Sequence, residues 1–308
     1  MSDLYIYSPS GAVRDRLAFK RGVQFLQTQG HQVTVDPSAL ASSTRFAGTD
    51  EERLAAIERA SKSGALASLI SRGGYGLTRL LADLPYKAIA KSIDQGMAWV
   101  GYSDFTALQL AVLARTGRIT WAGPSLIDSF GAADGVDDIT FDCFNDLLAE
   151  QGEGTGWRMG VAASKALASR KPGVWARDAQ LWGGNLSVLC SLLGSKYFPD
   201  VSGGVLFLED VGEHPYRVER MLTQLLHAGV LARQKAIVLG QFTEFKLTAH
   251  DHGFGMPTVV SWLRSQLKVP VLTDLPFGHV ATRVCLPVGA KVDLLVEGRD
   301  VMLVWGHI

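Results

Sequence analysis

The chain has 308 residues, room for one large domain or two medium ones. Lys and Arg total 30 and Asp and Glu total 30, and the resulting zero charge excludes the general electrostatic grip on nucleic acid or anionic lipid that surplus cations provide. A hydrophobic content of 47% against 19% charged residues is ample for a buried core and far from a disordered composition. Cys143, Cys190 and Cys285 lie far apart without CxxC spacing, so they read as reduced core residues and not as a disulfide framework or structural zinc set. The start, MSDLYIYSPSG, has neither the basic nor the apolar region of a secretory leader, and no uncharged apolar run approaches the ~18 residues of a membrane span. The expectation is a cytoplasmic globular protein that binds neither nucleic acid nor membrane.

In chain order, LYIYS (4–8) predicts a strand and 14–28 a helix with Leu17, Val23, Phe25 and Leu26 on one stripe, closed by Gly30. HQVTVD (31–36) alternates as a strand. Residues 49–64 predict a helix capped by Thr49 or Asp50, with acids in its first turn. LASLIS (66–71) reads as a strand, RGGYG as a loop and LTRLLADL as a helix. Strand 97–103, helix 104–116 and strand 118–123 complete the first half. Such alternation implies right-handed crossovers and a mainly parallel sheet. The turn-rich stretch 131–175 reads as a linker between an N-terminal α/β domain (1–130) and a C-terminal, β-rich α/β domain (176–308). In the latter, 182–194 predicts a buried helix opened by glycines. Strands at 203–210 and 235–242 alternate with helices at 214–229 and 256–267, and short strands fill 271–305.

Several residues could carry chemistry. Ser103 stands where a strand gives way to a helix, which suits either a nucleophile thrust out on a tight turn or a plain N-cap; Gly101 matches a nucleophile elbow, but Phe105 replaces its second glycine. The loop Arg72-Gly73-Gly74-Tyr75-Gly76 also joins a strand to a helix. It fits an anion or oxyanion cradle or a left-handed turn, and it matches neither nucleotide-binding glycine pattern. Glu209-Asp210 closes a strand at the sheet edge where sites collect, or is a solvated strand end. His279, after Pro276-Phe277-Gly278, is a surface-loop residue or a general base. His250-Asp251-His252 looks like a metal pair but lacks a third ligand and reads as a mobile loop; His214 and His227 read as surface or packing residues. Ser103, Glu209 and His279 stand in the order nucleophile, acid, base, which is shared with α/β-hydrolases but is not diagnostic, since triads recur on unrelated folds.

Ser8-Pro9-Ser10, Phe46-Ala47-Gly48-Thr49, Arg72–Gly76, Gly101-Tyr102-Ser103-Asp104, Gly123-Pro124, Trp182-Gly183-Gly184-Asn185-Leu186, Leu208-Glu209-Asp210-Val211, His214–Arg220 and Phe277-Gly278-His279 occur in an order, over nearly the whole chain, that resembles the LD-carboxypeptidases, the S66 serine peptidases. The resemblance implies a cofactor- and metal-independent serine carboxypeptidase (muramoyltetrapeptide carboxypeptidase) with Ser103 as nucleophile, Glu209 as acid, His279 as base and an active site in the interdomain cleft. It implies a homodimer in the bacterial cytoplasm that removes the terminal D-Ala from murein tetrapeptides during peptidoglycan recycling. The backbone N–H of Asp104 with that of Gly73 or Gly74 would hold the oxyanion. Arg72 is a candidate for the substrate carboxylate, or packs structurally, and Tyr75 beside it is a candidate substrate contact. Gly194-Ser195-Lys196-Tyr197 departs from the Gly-Thr-Pro of many relatives. Two other functions fit the same scaffold: an immunity peptidase that cleaves a peptide-nucleotide antibiotic, and a non-catalytic muropeptide-binding protein.

Overall fold

A computed structural model describes residues 2–308 and divides the chain into two compact units. The first holds residues up to Gln151 together with Gly194–Pro199 and Ala281–Gly289; the second holds Gly152–Leu193, Asp200–Val280 and Ala290–Ile308.

The first unit contains β1 (Asp3–Tyr7), α1 (Arg16–Thr28), β2 (Gln32–Val35), α2 (Asp50–Lys62), β3 (Ala67–Ile70), α3 (Tyr86–Asp94), β4 (Ala98–Gly101), α4 (Thr106–Thr116), β5 (Thr120–Ala122) and α5 (Asp138–Leu148). The second contains β6 (Gly154–Arg158), α6 (Val161–Ala166), β7 (Gly173–Asn185), α7 (Leu186–Ser191), β8 (Val205–Val211), α8 (Pro215–His227), β9 (Ala236–Thr243), α9 (Met256–Gln266) and β10 (Val271–Leu272). The chain then gives β11 (Leu286–Val288) to the first unit and β12 (Lys291–Glu297) and β13 (Asp300–Val304) to the second.

The first sheet runs β11-β5-β4-β3-β1-β2, parallel except for β11, which pairs antiparallel with β5. Alternation along its strands sorts side chains to two layers. Leu4, Ile6, Leu69 and Val100 join Phe19 and Leu26 of α1 and Phe144 and Leu147 of α5 in one apolar cluster. The intervening residues meet the other helices: Tyr7 and Trp99 pack edge to face at 5.8 Å, and the Trp99 indole N–H donates to Ser92 of α3 at 3.0 Å. α2 starts where expected, with Thr49 and Glu52 forming a capping box.

The second sheet runs β10-β9-β8-β7-β12-β13-β6, its first four strands parallel and the rest antiparallel. The close approach of β7 to β8 depends on Gly183, whose φ is +138° and whose missing side chain would overlap the Phe207 carbonyl oxygen.

Three expectations change. The stretch 131–175, read as a linker, folds into α5, β6, α6 and the first part of β7, and the division after Gln151 falls in the short connection between α5 and β6. Trp182-Gly183-Gly184-Asn185 ends a 13-residue strand instead of opening a helix; α7 begins at Leu186, with the Asn185 side chain as its cap. LTRLLADL forms only a 3-10 turn at Leu77–Arg79, because Pro85 turns the preceding residue away from helix, and α3 then begins at Tyr86.

At the β2 end Asp36 is 2% exposed and ties three elements together. It accepts from the Tyr5 hydroxyl at 2.6 Å, Ser38 N–H at 2.8 Å and Arg59 Nε at 2.8 Å. Burial raises its pKa, but Arg59, Ser38 and Tyr5 outweigh that and hold the carboxyl down to about 2. A depressed carboxylate stabilises the fold above its unfolded pKa and ceases to do so as pH falls through the folded value. Discounted for the half-exposed Arg59, this amounts to about 1–2 kcal/mol. Urea melts of Asp36→Asn are expected to show a deficit of that size at pH 7 that shrinks between about pH 4 and pH 2; a deficit independent of pH would remove the ionic account.

Candidate functional site

In the first unit the decisive feature is backbone conformation. β4 ends at Gly101, Tyr102 is extended, and Ser103 adopts φ +63° before the chain enters a 3-10 turn (Ser103–Phe105) and then α4. A side chain with a Cβ pays about 1–3 kcal/mol to sit there, a cost associated with functional turns. Tyr102, not Ser103, occupies the cap position, so the plain N-cap reading does not describe this serine. The turn has the strained strand-to-helix geometry of a nucleophile elbow, formed without the second glycine.

Gly73 explains how the glycine loop approaches this turn. A Cβ on Gly73 would lie 2.7 Å from Ser103 Cβ, 2.8 Å from its Oγ and 3.4 Å from the Asp104 amide nitrogen. The loop is held from behind by residues 8–12. Gly11 N–H donates to the Gly73 carbonyl at 3.2 Å, and the Ser8 and Ser71 hydroxyls lie 2.6 Å apart. Arg72 folds back on the same segment, its Nη1 donating to the Ala12 carbonyl at 3.2 Å. That contact gives Arg72 a structural part, whatever else it binds. Gly74 takes φ +107°, and Tyr75 is exposed with the Arg45 guanidinium 5.6 Å from its ring centre. Asp104 is buried, and burial pushes its carboxyl above the ordinary range while backbone N–H groups and the Arg53 charge oppose the shift.

In the second unit Glu209 and His279 meet. Glu209 lies in β8 with no solvent exposure, and its Oε2 is 2.8 Å from His279 Nδ1. Asn185 Nδ2 donates to Glu209 Oε1 at 3.1 Å and to Asp210 Oδ1 at 2.9 Å. Asp210 also accepts from Ser187 N–H and Val211 N–H, each at 2.9 Å. Burial, with the Glu209 charge next to it, pushes the Asp210 carboxyl up to about 6. Neither carboxylate is a solvated strand end.

Glycines let β9 and the turn that carries His279 pack closely beside Glu209, since a Cβ on Gly240 would overlap the Phe277 carbonyl oxygen. The β8–β9 register slips between Leu208 and Asp210, and opposite that slip Gly240 and Gly278 would each place a Cβ 3.5 Å or less from Glu209 Cβ. The Gly278 φ of +140° turns the chain into His279. A carboxylate bound at Nδ1 favours the imidazole tautomer that leaves Nε2 as a proton acceptor.

Asn185, Arg53 and the Ser8–Ala12 segment were not singled out as individual actors by sequence reasoning. Their only signal is membership in the motifs Trp182–Leu186 and Ser8–Ser10, or, for Arg53, none. His214 caps α8 and pairs with Asp251 at 3.2 Å, and Asp251 also binds Thr248. The His250 and His252 rings stand 6.4 Å apart. Among the described residues no helix is long and apolar enough to cross a membrane.

Comparison with known proteins agrees with both halves of this description. The LD-carboxypeptidase N-terminal domain matches residues 4–123 and the LD-carboxypeptidase C-terminal domain matches 178–294. A Bacillus subtilis protein named "Probable murein peptide carboxypeptidase" is 31% identical over 268 residues, covering 87% of this chain and 81% of the relative. The microcin C7 self-immunity protein of Escherichia coli is 27% identical over 319 residues, covering 96% and 90%. A crystal structure of muramoyltetrapeptide carboxypeptidase from Oxalobacter formigenes superimposes with a TM-score of 0.87 at 37% identity, covering 99% of each chain. With both domains of one family matched in sequence and the whole fold shared with a solved member, the chain belongs to the LD-carboxypeptidase family of S66 peptidases.

Proposed function

We propose that this peptidase is a serine-type LD-carboxypeptidase that removes the terminal D-Ala from murein tetrapeptides, cutting the bond from the L centre of meso-diaminopimelate. The observation that carries the reading is the left-handed Ser103 on its strand-to-helix turn, with Gly73 pressed against it. The buried Glu209–His279 pair supports the same chemistry. His279 Nε2 takes the Ser103 proton as Oγ attacks the amide carbonyl. Glu209 stabilises the imidazolium, which then protonates the departing D-Ala amine. A water deacylates the serine by the reverse proton route. The Asp104 amide, with that of Gly73 or Gly74, stabilises the oxyanion, each donor worth roughly 3 kcal/mol. Arg72 and Tyr75 are the proposed contacts to the substrate terminus. In this reading the enzyme is a cytoplasmic homodimer of peptidoglycan recycling.

The names of the Bacillus and Oxalobacter relatives support a murein peptide as substrate. Similarity to the microcin self-immunity protein supports a second reading, cleavage of a peptide-nucleotide antibiotic by the same residues. Incubation with muramoyl tetrapeptide, and separately with a peptidyl nucleotide, decides between them. Mass spectrometry should detect loss of D-Ala from the first, and cleavage of the second alone would reverse the assignment.

Ser103→Ala is expected to fold and to lose more than ~10³-fold in kcat. Near-normal turnover by the folded variant would end the serine mechanism. Glu209→Gln is expected to lose at least ~10²-fold, because the imidazole tautomer is no longer imposed.

Gly73→Ala tests the contact at the turn. The added methyl cannot coexist with Ser103 as placed, and a displacement of about 1 Å in a reacting group costs on the order of 10²-fold. A steady-state assay should give a large fall in kcat with an unchanged circular-dichroism spectrum; unaltered kcat would mean that this close approach is not used.

A further inference from the structure

We propose that the Asp104 carboxylate is a positioning residue that clamps the Arg72–Gly76 loop to the Ser103 turn, so that the amides on both sides of the oxyanion are fixed relative to each other. The proposal rests on Ser103 being the nucleophile, and it assigns the residue a task separate from that of its backbone N–H.

The geometry carries it. Asp104 is 2% exposed, and its Oδ2 accepts the Leu77 N–H at 2.9 Å, 27 residues away in sequence. The neighbouring Gly76 amide acts electrostatically on the same carboxylate and favours its charged form. The end of the glycine loop is therefore bound, through the Leu77 amide, to the side chain next to the proposed nucleophile. A carboxylate accepts several N–H groups without offering a donor, which no neutral side chain of that size can do.

The far side of the loop is fixed by Arg53, a fully buried guanidinium on α2. Its Nη1 donates to the Pro9 carbonyl at 3.1 Å, and a Cβ on Gly76 would come within 2.5 Å of that nitrogen. Arg53 also pairs with Asp50, which in turn binds Arg79 at 2.7 Å, and the Phe46 ring lies 4.8 Å and 4.9 Å from the two guanidinium carbons. The positive charge of Arg53 acts on Asp104 and offsets part of the cost of burying it. The loop is thus gripped from one side by an anion and from the other by a cation, while Gly73 leaves no slack against Ser103.

The test compares Asp104→Asn with wild type and with Ser103→Ala. The asparagine keeps the volume but has one accepting end, so it turns a donor group toward either the Leu77 amide or its Gly76 neighbour. The expected result is a folded protein whose kcat falls roughly 10²-fold with KM within threefold. Hydrogen–deuterium exchange in the peptide covering 73–80 should accelerate at least tenfold while the α4 peptide stays protected. A folded Asp104→Asn with kcat and loop exchange both within threefold of wild type overturns the proposal, and so does a loss of kcat that arises only from general unfolding, with α4 exchange raised equally. If the variant does not fold, wild-type exchange decides: slow exchange of the Leu77 amide supports the clamp, and exchange at free-loop rates refutes it. Full activity in Ser103→Ala would instead defeat the nucleophile assignment, and the exchange result would still decide the clamp.

Discussion

The first unit is organised around a single constrained residue, the left-handed serine at the end of β4. A non-glycine residue in that conformation is held by its surroundings, since nothing local favours it. Here the restraint comes from β4 behind the serine, α4 ahead of it and the glycine loop beside it. Gly73 must lack a side chain for the loop to approach, and residues 8–12 must hold the loop for the approach to persist. The parallel sheet supplies the frame. It brings the C-terminal ends of β1, β3 and β4 to one edge, so three loops far apart in sequence become neighbours.

The second unit solves a different problem. Glu209 is wholly buried, and a buried carboxylate without partners costs several kcal/mol. It has two, the His279 imidazole and the Asn185 amide. Asn185 serves both Glu209 and Asp210 through its amide nitrogen and caps α7 through its oxygen, so its polar capacity is used by the strand edge and the helix start together. The slip between β8 and β9 lies at the acid, and the glycines beside it let β9 and the histidine turn pack closely together.

The return of the chain to the first unit immediately after the histidine turn has its own support. Arg283 is buried, donates to Ser129 Oγ at 2.8 Å, and lies 3.8 Å from the centre of the Tyr102 ring, next to Ser103. Thr282 and Thr140 bind Asp137, the cap of α5, and β11 then closes the edge of the first sheet. A division of the chain at one linker therefore does not describe it, because a contiguous segment late in sequence completes the earlier sheet.

Periodicity and capping chemistry made most of the first sheet and its helices legible, and ordered short motifs carried the family and the three residues proposed for catalysis. Those signals are local: a strand alternates and a helix is capped within a few residues, and Gly101-Tyr102-Ser103-Asp104 is contiguous. The linker reading failed because glycine and charge at 131–175 mark turns between short elements as readily as a break between domains. Trp182-Gly183-Gly184-Asn185 read as helix because glycine disfavours strands, while close β7–β8 packing demands it. The φ of Ser103, the two bonds shared by the Asn185 amide, the burial of Arg53 and the Asp104 bond to Leu77 are not written in any local pattern, even where the residue lies in a motif. Each depends on groups between 24 and 44 residues apart or on a backbone angle, and only the folded chain brings those groups within the few ångströms over which hydrogen bonds and charge act.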